Sequence, residues 1–202
     1  MQQIDTLYYY GVRVAGFFGE VSPLMSNNDE KQSSLKQLHQ GLGIPADYSE
    51  SCALPLCIEP AVLVDTELDF YQRQQRLTPA AFSAWSQMRE AATSQGISLF
   101  LISAFRGYQY QHDLIAAKLE KGQVIEAILR VNAAPGYSEH HSGRAVDLGT
   151  MGCDALSENF GKTKAYQWLV ENSDSYGFSL TYPRDNPFGI DFEPWHWCFT
   201  QK

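Results

Sequence analysis

Five histidines occur in the 202 residues, His39, His112, His140, His141 and His196, and two of them keep company that suits a metal. The run Ser138-Glu139-His140-His141-Ser142-Gly143-Arg144-Ala145-Val146-Asp147 sets a histidine on a loop and an acid seven residues later on a strand. Gly143 allows a tight backbone turn between them. Far downstream, Phe192-Glu193-Pro194-Trp195-His196-Trp197 sets another histidine beside another acid. Two imidazoles and one carboxylate leave a fourth position free for water, the ligand set of a catalytic zinc and not of a structural one. Zn2+ held that way lowers the pKa of bound water toward neutrality and polarises a carbonyl. A second carboxylate that is not a ligand can then take the water's proton and pass it to a leaving amine. Glu193 is expected in that role. Three residues along a regular strand would put Glu193 and His196 on opposite faces. Pro194 cannot donate to a ladder and distorts the strand locally, so both side chains can turn to one site. The demand is geometric: Glu193 must point toward the His196 side chain. His112, next to Asp113, reads as exposed, and His39 has no evident partner.

The elements that must position these residues become clear from Leu77 onward. Thr78 followed by Pro79 is an N-cap with proline at the first helical position. Phe82, Trp85, Met88 or Arg89, and Ala92 follow at helical spacing, and Gly96 closes the helix. Ile97 to Ile102 is too apolar to alternate and reads as a buried strand. Helices are expected over 108–120, ending near Gly122, and over 124–131, with Pro135-Gly136 as the break. Residues 144–148 alternate polar with apolar and read as a strand. A helix over 163–172 would bury Tyr166, Leu169 and Val170, and short strands are expected at 178–182 and 195–199. This order implies an α+β fold, a small antiparallel sheet carrying helices on one face. Upstream, residues 22–34 are polar and turn-rich and read as a surface loop, and 41–60 are broken by glycine and proline. Residues 1–75 thus read as an N-terminal extension, packed on or preceding a catalytic domain at 76–202.

The strings Ser138-x-His140-x-x-Gly143-x-Ala145-x-Asp147 and Glu193-Pro194-Trp195-His196-Trp197 resemble motifs of the VanY-type zinc D-alanyl-D-alanine carboxypeptidases. Ser103-Ala104-Phe105-Arg106, with Gln111 downstream, is similar to a third motif of that family, and the resemblance covers roughly residues 76–200. It implies the Hedgehog/D-Ala-D-Ala peptidase-like fold, with zinc at the base of a cleft in an antiparallel sheet. It also implies His140, not His141, as a ligand together with Asp147 and His196, and Glu193 as the base. Arg106 would steady the substrate carbonyl and oxyanion or grip a terminal carboxylate, tasks suited to an always-charged bidentate guanidinium. Ser103 and Ser138 would line the pocket and Gln111 support it. Trp195 and Trp197 would wall the cleft or sit in the core. Phe105, Gly107 and Thr181 stand where relatives have Tyr, Ser and Arg, which touches the substrate pocket more than the chemistry. A zinc-containing muropeptide-binding module without turnover is the competing class, and the presence of Glu193 favours the enzyme.

The net charge of −8, from 15 basic and 23 acidic residues, argues against nucleic acid, which demands clustered Lys and Arg. No apolar run approaches the roughly 20 residues of a membrane-spanning helix. Met1-Gln2-Gln3-Ile4-Asp5 does not open an export signal, so a cytoplasmic protein is expected. Cys52, Cys57, Cys153 and Cys198 are then expected as free thiols. The expected partner is a muropeptide or stem peptide. A cytoplasmic D,D-carboxypeptidase would destroy pentapeptide precursors of the wall, so an L,D-carboxypeptidase acting on recycled tetrapeptides is preferred, with D,D cleavage as the alternative.

Overall fold

In the computed structural model, which describes residues 27–200, the elements follow in the order α1 (Asn27–Gly41), α2 (Tyr48–Ser51), β1 (Val64–Leu68), β2 (Gln74–Leu77), α3 (Pro79–Ser94), β3 (Phe100–Ser103), α4 (Tyr108–Glu120), α5 (Ile125–Leu129), β4 (Ala145–Gly149), α6 (Lys164–Asn172), β5 (Phe178–Leu180) and β6 (His196–Phe199). β3, β4, β6 and β5 form, in that spatial order, a four-stranded sheet whose neighbours are all antiparallel. β1 and β2 make a separate antiparallel hairpin. The α+β class is the one the order of helices and strands implies.

Side chains alternate across a strand, and β4 uses both of its faces. Val146 and Leu148 enter the main core with Leu101, Phe178 and Trp197 from the other strands. Trp85, Met88 and Ala92 of α3 and Trp168 and Leu169 of α6 complete that layer. Asp147 points the opposite way, yet it is also buried, so all five residues of β4 are covered. A second apolar cluster joins Ile115 of α4 and Ile128 of α5 to Leu42, Ile44, Leu54 and Tyr182. It closes the other side of the site.

α3 forms as its caps dictate. Thr78 Oγ1 accepts from the Ala81 N–H, and the C-terminus ends in a Schellman motif, with Gly96 at φ +74° and the Ile97 N–H bonded to the Ala92 carbonyl. That motif consumes the residues after the helix, so β3 starts at Phe100 and not at Ile97. In α6 the Thr163 side chain is the N-cap, and Ala165, Trp168 and Leu169 are the buried face. Val170, expected in the core, is 57% exposed because Trp168 occupies the inward position and bonds Gln95 through its indole N–H.

The expected surface loop over 22–34 is corrected where it is described: residues from Asn27 onward are helical, while 22–26 lie outside the described residues. α1 is polar and shows no apolar stripe; Leu35 and, just past its end, Leu42 are buried, and His39 donates from Nε2 to the Pro135 carbonyl at 2.7 Å. That bond also corrects the reading of His39 as partnerless. Local periodicity does not reveal a helix held by such distant contacts.

One turn connects this scaffold to the site. Residues Glu139–Ser142 form a short 3-10 turn closed by Gly143 at φ +64°, whose carbonyl accepts from the N–H of Thr78 at 2.8 Å. A Cβ at Gly143 would lie 2.7 Å from Leu63 Cδ2. Gly143→Ala therefore combines left-handed strain of roughly 1–2 kcal/mol with a steric clash. We expect thermal unfolding at lower temperature and weaker metal binding, read by calorimetry; an unchanged melting temperature and metal affinity would contradict this role of the turn.

Candidate metal centre and cleft

The strand register builds the site. Asp147 on β4 pairs with Ser103 on β3 and with His196 on β6, so these three residues lie in one row across the sheet on one face. His140 comes from the 3-10 turn that precedes β4. Its Nδ1 donates to the Ala104 carbonyl at 2.6 Å, which leaves Nε2 facing Asp147 Oδ1 at 3.2 Å. His196 is oriented the other way round: Nε2 donates to Glu139 Oε2 at 2.9 Å, and Nδ1 faces Asp147 Oδ1 at 3.1 Å. One ligand atom from each of His140, Asp147 and His196 thus falls within 4.8 Å of the others, all three residues being buried. This is a three-ligand set with an open side, and imidazole plus carboxylate suits zinc. Both rings carry the outer hydrogen bond that fixes tautomer and orientation in metal sites.

The electrostatics fit a site made for a cation. Burial would raise the Asp147 carboxyl, but His140, His196 and Arg106 outweigh it and hold the group well below the usual carboxylate range. Burial, with Arg106 nearby, pushes His140 down to about 4, so it is a neutral lone-pair donor at pH 7. Burial would lower His196 too, but hydrogen bonds to Asp147 and Glu139 dominate and lift it to about 10.

Glu193 meets the geometric demand by a different route from a distorted strand. The His196 N–H bonds the Glu193 carbonyl at 3.0 Å, so Glu193-Pro194-Trp195-His196 is a β-turn whose first and last side chains face one site. Glu193 Oε2 lies 4.0 Å from His196 Nδ1, and burial raises its carboxyl to about 7. Arg106 approaches from the β3–α4 loop. Its backbone N–H bonds the His140 carbonyl, its Nη2 is 3.6 Å from Asp147 Oδ2, and its buried Nε has no hydrogen-bond partner among the described residues.

A cleft of about 470 Å3 is lined by Ser103, Arg106, Lys118, Asn132, Asp147, Glu193 and Trp195. A smaller recess beneath it brings Ser138 and Gln111 to His140, Glu193 and His196. Gln111 donates to the Ala133 carbonyl at 2.8 Å while its Oε1, like Asn132 Nδ2, is buried without a partner among the described residues. Unpaired buried polar atoms at the end of a cleft are what a polar ligand would satisfy. Trp195 borders the cleft, whereas Trp197 is core.

His141 lies on the same turn as His140 and turns away. Its Nδ1 donates to the Arg106 carbonyl at 2.6 Å, so it braces the loop that carries Arg106. His112 is half-buried beside Asp113 and Gln109, more engaged than the sequence suggests. Sequence reasoning missed Glu139, although it directly precedes His140, and Tyr182, whose ring centroid lies 4.8 Å from that of His196. Only the spatial meeting of two distant segments reveals either one.

The sequence model of the VanY D-alanyl-D-alanine carboxypeptidases matches residues 74–202. The chain belongs to this family. Among curated relatives, YodJ of Bacillus subtilis is 31% identical over 186 residues, covering 87% of this chain and 67% of that protein. The chain spans about two thirds or less of the length of the curated relatives it matches. Among solved structures, the LdcB LD-carboxypeptidase is 31% identical with a TM-score of 0.62, covering 70% of this chain and 69% of that one. A vancomycin-resistance D,D-pentapeptidase, VanY, in complex with Zn(II), is 26% identical with a TM-score of 0.57, covering 74% of this chain and 88% of that one.

Two predictions follow the hydrogen bonds of His196. Glu139→Ala should weaken zinc binding about 10- to 100-fold, measured by competition with a chromophoric chelator. In the metal-free protein the raised pKa of His196, about 10, keeps it protonated at pH 7. Zinc must displace that proton, so affinity should rise with pH up to that value and His196 should release one proton on binding at pH 7. Calorimetry in buffers of different ionisation enthalpy measures the release, and a titration with no proton release would contradict the assignment.

Proposed function

We propose that the protein is a zinc metallocarboxypeptidase that removes the C-terminal D-alanine from peptidoglycan stem peptides. The observation that carries this reading is the convergence of Glu193 and Arg106 on the open side of the His140–Asp147–His196 group. His140, Asp147 and His196 would hold the zinc, which when bound supplies an acidified water and polarises the scissile carbonyl. Glu193, with a carboxyl poised near neutrality, accepts a proton from the attacking water and returns it to the departing amine. Arg106 offers its unpaired Nε and its charge to the substrate carbonyl or to the terminal carboxylate. Gln111 and Ser138 shape the recess under the cleft. A binding module would have no use for a buried acid beside the ligands.

Within this reading we favour L,D cleavage of tetrapeptides over D,D cleavage of pentapeptides. The support is the likeness to the LdcB LD-carboxypeptidase, higher in both identity and TM-score than that to the D,D-pentapeptidase. Tetrapeptide trimming fits wall recycling in the cytoplasm, and the four free cysteines suit a reducing compartment.

The zinc-loaded protein should release D-alanine from a free muropeptide tetrapeptide, and chelation should abolish the release. Glu193→Gln should lower kcat by about 10²–10⁴-fold while zinc content stays unchanged; retained release in that variant would sink the role of Glu193. Product masses from tetra- and pentapeptide mixtures decide the bond, and preference for the pentapeptide would overturn the L,D reading.

A further inference from the structure

The cleft is continuous with a second open cavity of about 260 Å3, since Arg73, Ser103 and Arg106 line both. This second cavity has an unusual charge balance. The chain carries a net charge of −8, yet three arginines, Arg73, Arg76 and Arg106, line the cavity and, among the described residues, no acidic one does.

The wall that carries two of these arginines is the β1–β2 hairpin, and it is fastened to the strand and loop that carry Ser103 and Arg106. The Phe105 N–H bonds the Arg76 carbonyl at 3.0 Å, and the Ala104 N–H bonds Gln75 Oε1 at 2.9 Å. The hairpin is therefore part of the site's rigid frame.

The three guanidinium groups differ in what occupies them. Arg73 is already engaged: its Nε donates to buried Asp69 at 2.8 Å and its Nη2 to the Ile102 carbonyl at 2.8 Å. Arg76 lies over the Phe105 ring, 5.2 Å from its centroid, and among the described residues has no acidic group within ion-pair distance. Arg106 keeps an unpartnered Nε. Arg76 thus faces the concavity with donors to spare and no counter-charge among the described residues, held by stacking, while Arg106, its Nη2 3.6 Å from Asp147, brings a second guanidinium to the shared wall.

We propose that Arg76, with Arg106 at the shared wall, forms a subsite for a second carboxylate of the peptide substrate, on a residue upstream of the scissile bond and distinct from the C-terminal carboxylate. A planar carboxylate matches the guanidinium fork in shape and charge. The proposal rests on the carboxypeptidase reading of the adjoining cleft and adds to it the property that sets substrate choice.

The test compares two synthetic tetrapeptides ending in D-alanine that differ in one group, a free carboxylate or its carboxamide on an upstream residue. The zinc-loaded protein should show about a 10-fold higher kcat/KM for the carboxylate peptide, carried by KM. Arg76→Gln should bring that ratio to about 1, and Arg76→Lys should leave an intermediate ratio. Equal losses on both peptides in Arg76→Gln, or no discrimination by the unaltered protein, would overturn the subsite. A second arm needs no turnover: the corresponding peptides lacking the terminal D-alanine are titrated calorimetrically into the zinc-loaded protein. Tighter binding of the carboxylate form, lost in Arg76→Gln, supports the subsite even if neither tetrapeptide is cleaved, an outcome that would sink the L,D reading instead. Equal affinity for both forms overturns the subsite whatever the cleavage result.

Discussion

A carboxylate removed from water is among the most costly groups to bury, and Asp147 is 4% exposed in the middle of the sheet. Its ionised state survives because two imidazoles approach one oxygen and a guanidinium approaches the other. Each of those partners must in turn be held. His140 is held by the Ala104 carbonyl, His196 by Glu139, and Arg106 by its backbone bond to His140 and by the brace of His141. Much of the architecture around the cleft can be read as support for one buried charge. A cation set among these groups would replace several imperfect pairings with direct ligation.

The same dependence explains why the neighbourhood of the site is rich in polar groups that serve no local secondary structure. Glu139 is partly buried and its carboxyl is held low by His196, although burial opposes it. Glu193 is also buried but has no close donor of that strength, and its carboxyl moves the other way. Two glutamates on either side of the His196 ring are thus driven apart by their surroundings. One is a fixed acceptor, and the other is free to exchange a proton. Differences of environment between like groups are a common way for a protein to assign separate chemical tasks.

The group His140, Asp147 and His196 and the acid Glu193 beside it were legible in the sequence because each lies in a short string of residues whose types are chemically unusual together. Helices with strong caps were legible too: Thr78-Pro79 and Gly96 mark α3 within two residues. Legibility failed where long-range contact decides. α1 has no apolar stripe and is held by Leu35, His39 and the adjoining Leu42, so its first half reads as a loop. The β1–β2 hairpin has short, polar strands, stitched to β3 by side chains and carbonyls far away in sequence. Val170 matched the helical spacing of a core residue as well as Trp168 did, and the choice fell to the larger ring. The β-turn at Glu193 was anticipated only as a distortion, since Pro194 signals a break without specifying its shape.

Among the described residues β6 is the last strand in chain order, yet it sits between β4 and β5 in the sheet. A strand in that place cannot be added as an edge after the rest has set. During synthesis, the earlier strands emerge with a gap where His196 and Trp197 belong, so neither the ligand row nor the main core can close until that strand arrives. Assembly of the scaffold and completion of the ligand set become a single event. A nascent or proteolytically shortened chain lacking this strand would lose the metal centre and its fold together, and would not persist as a stable, half-competent fragment.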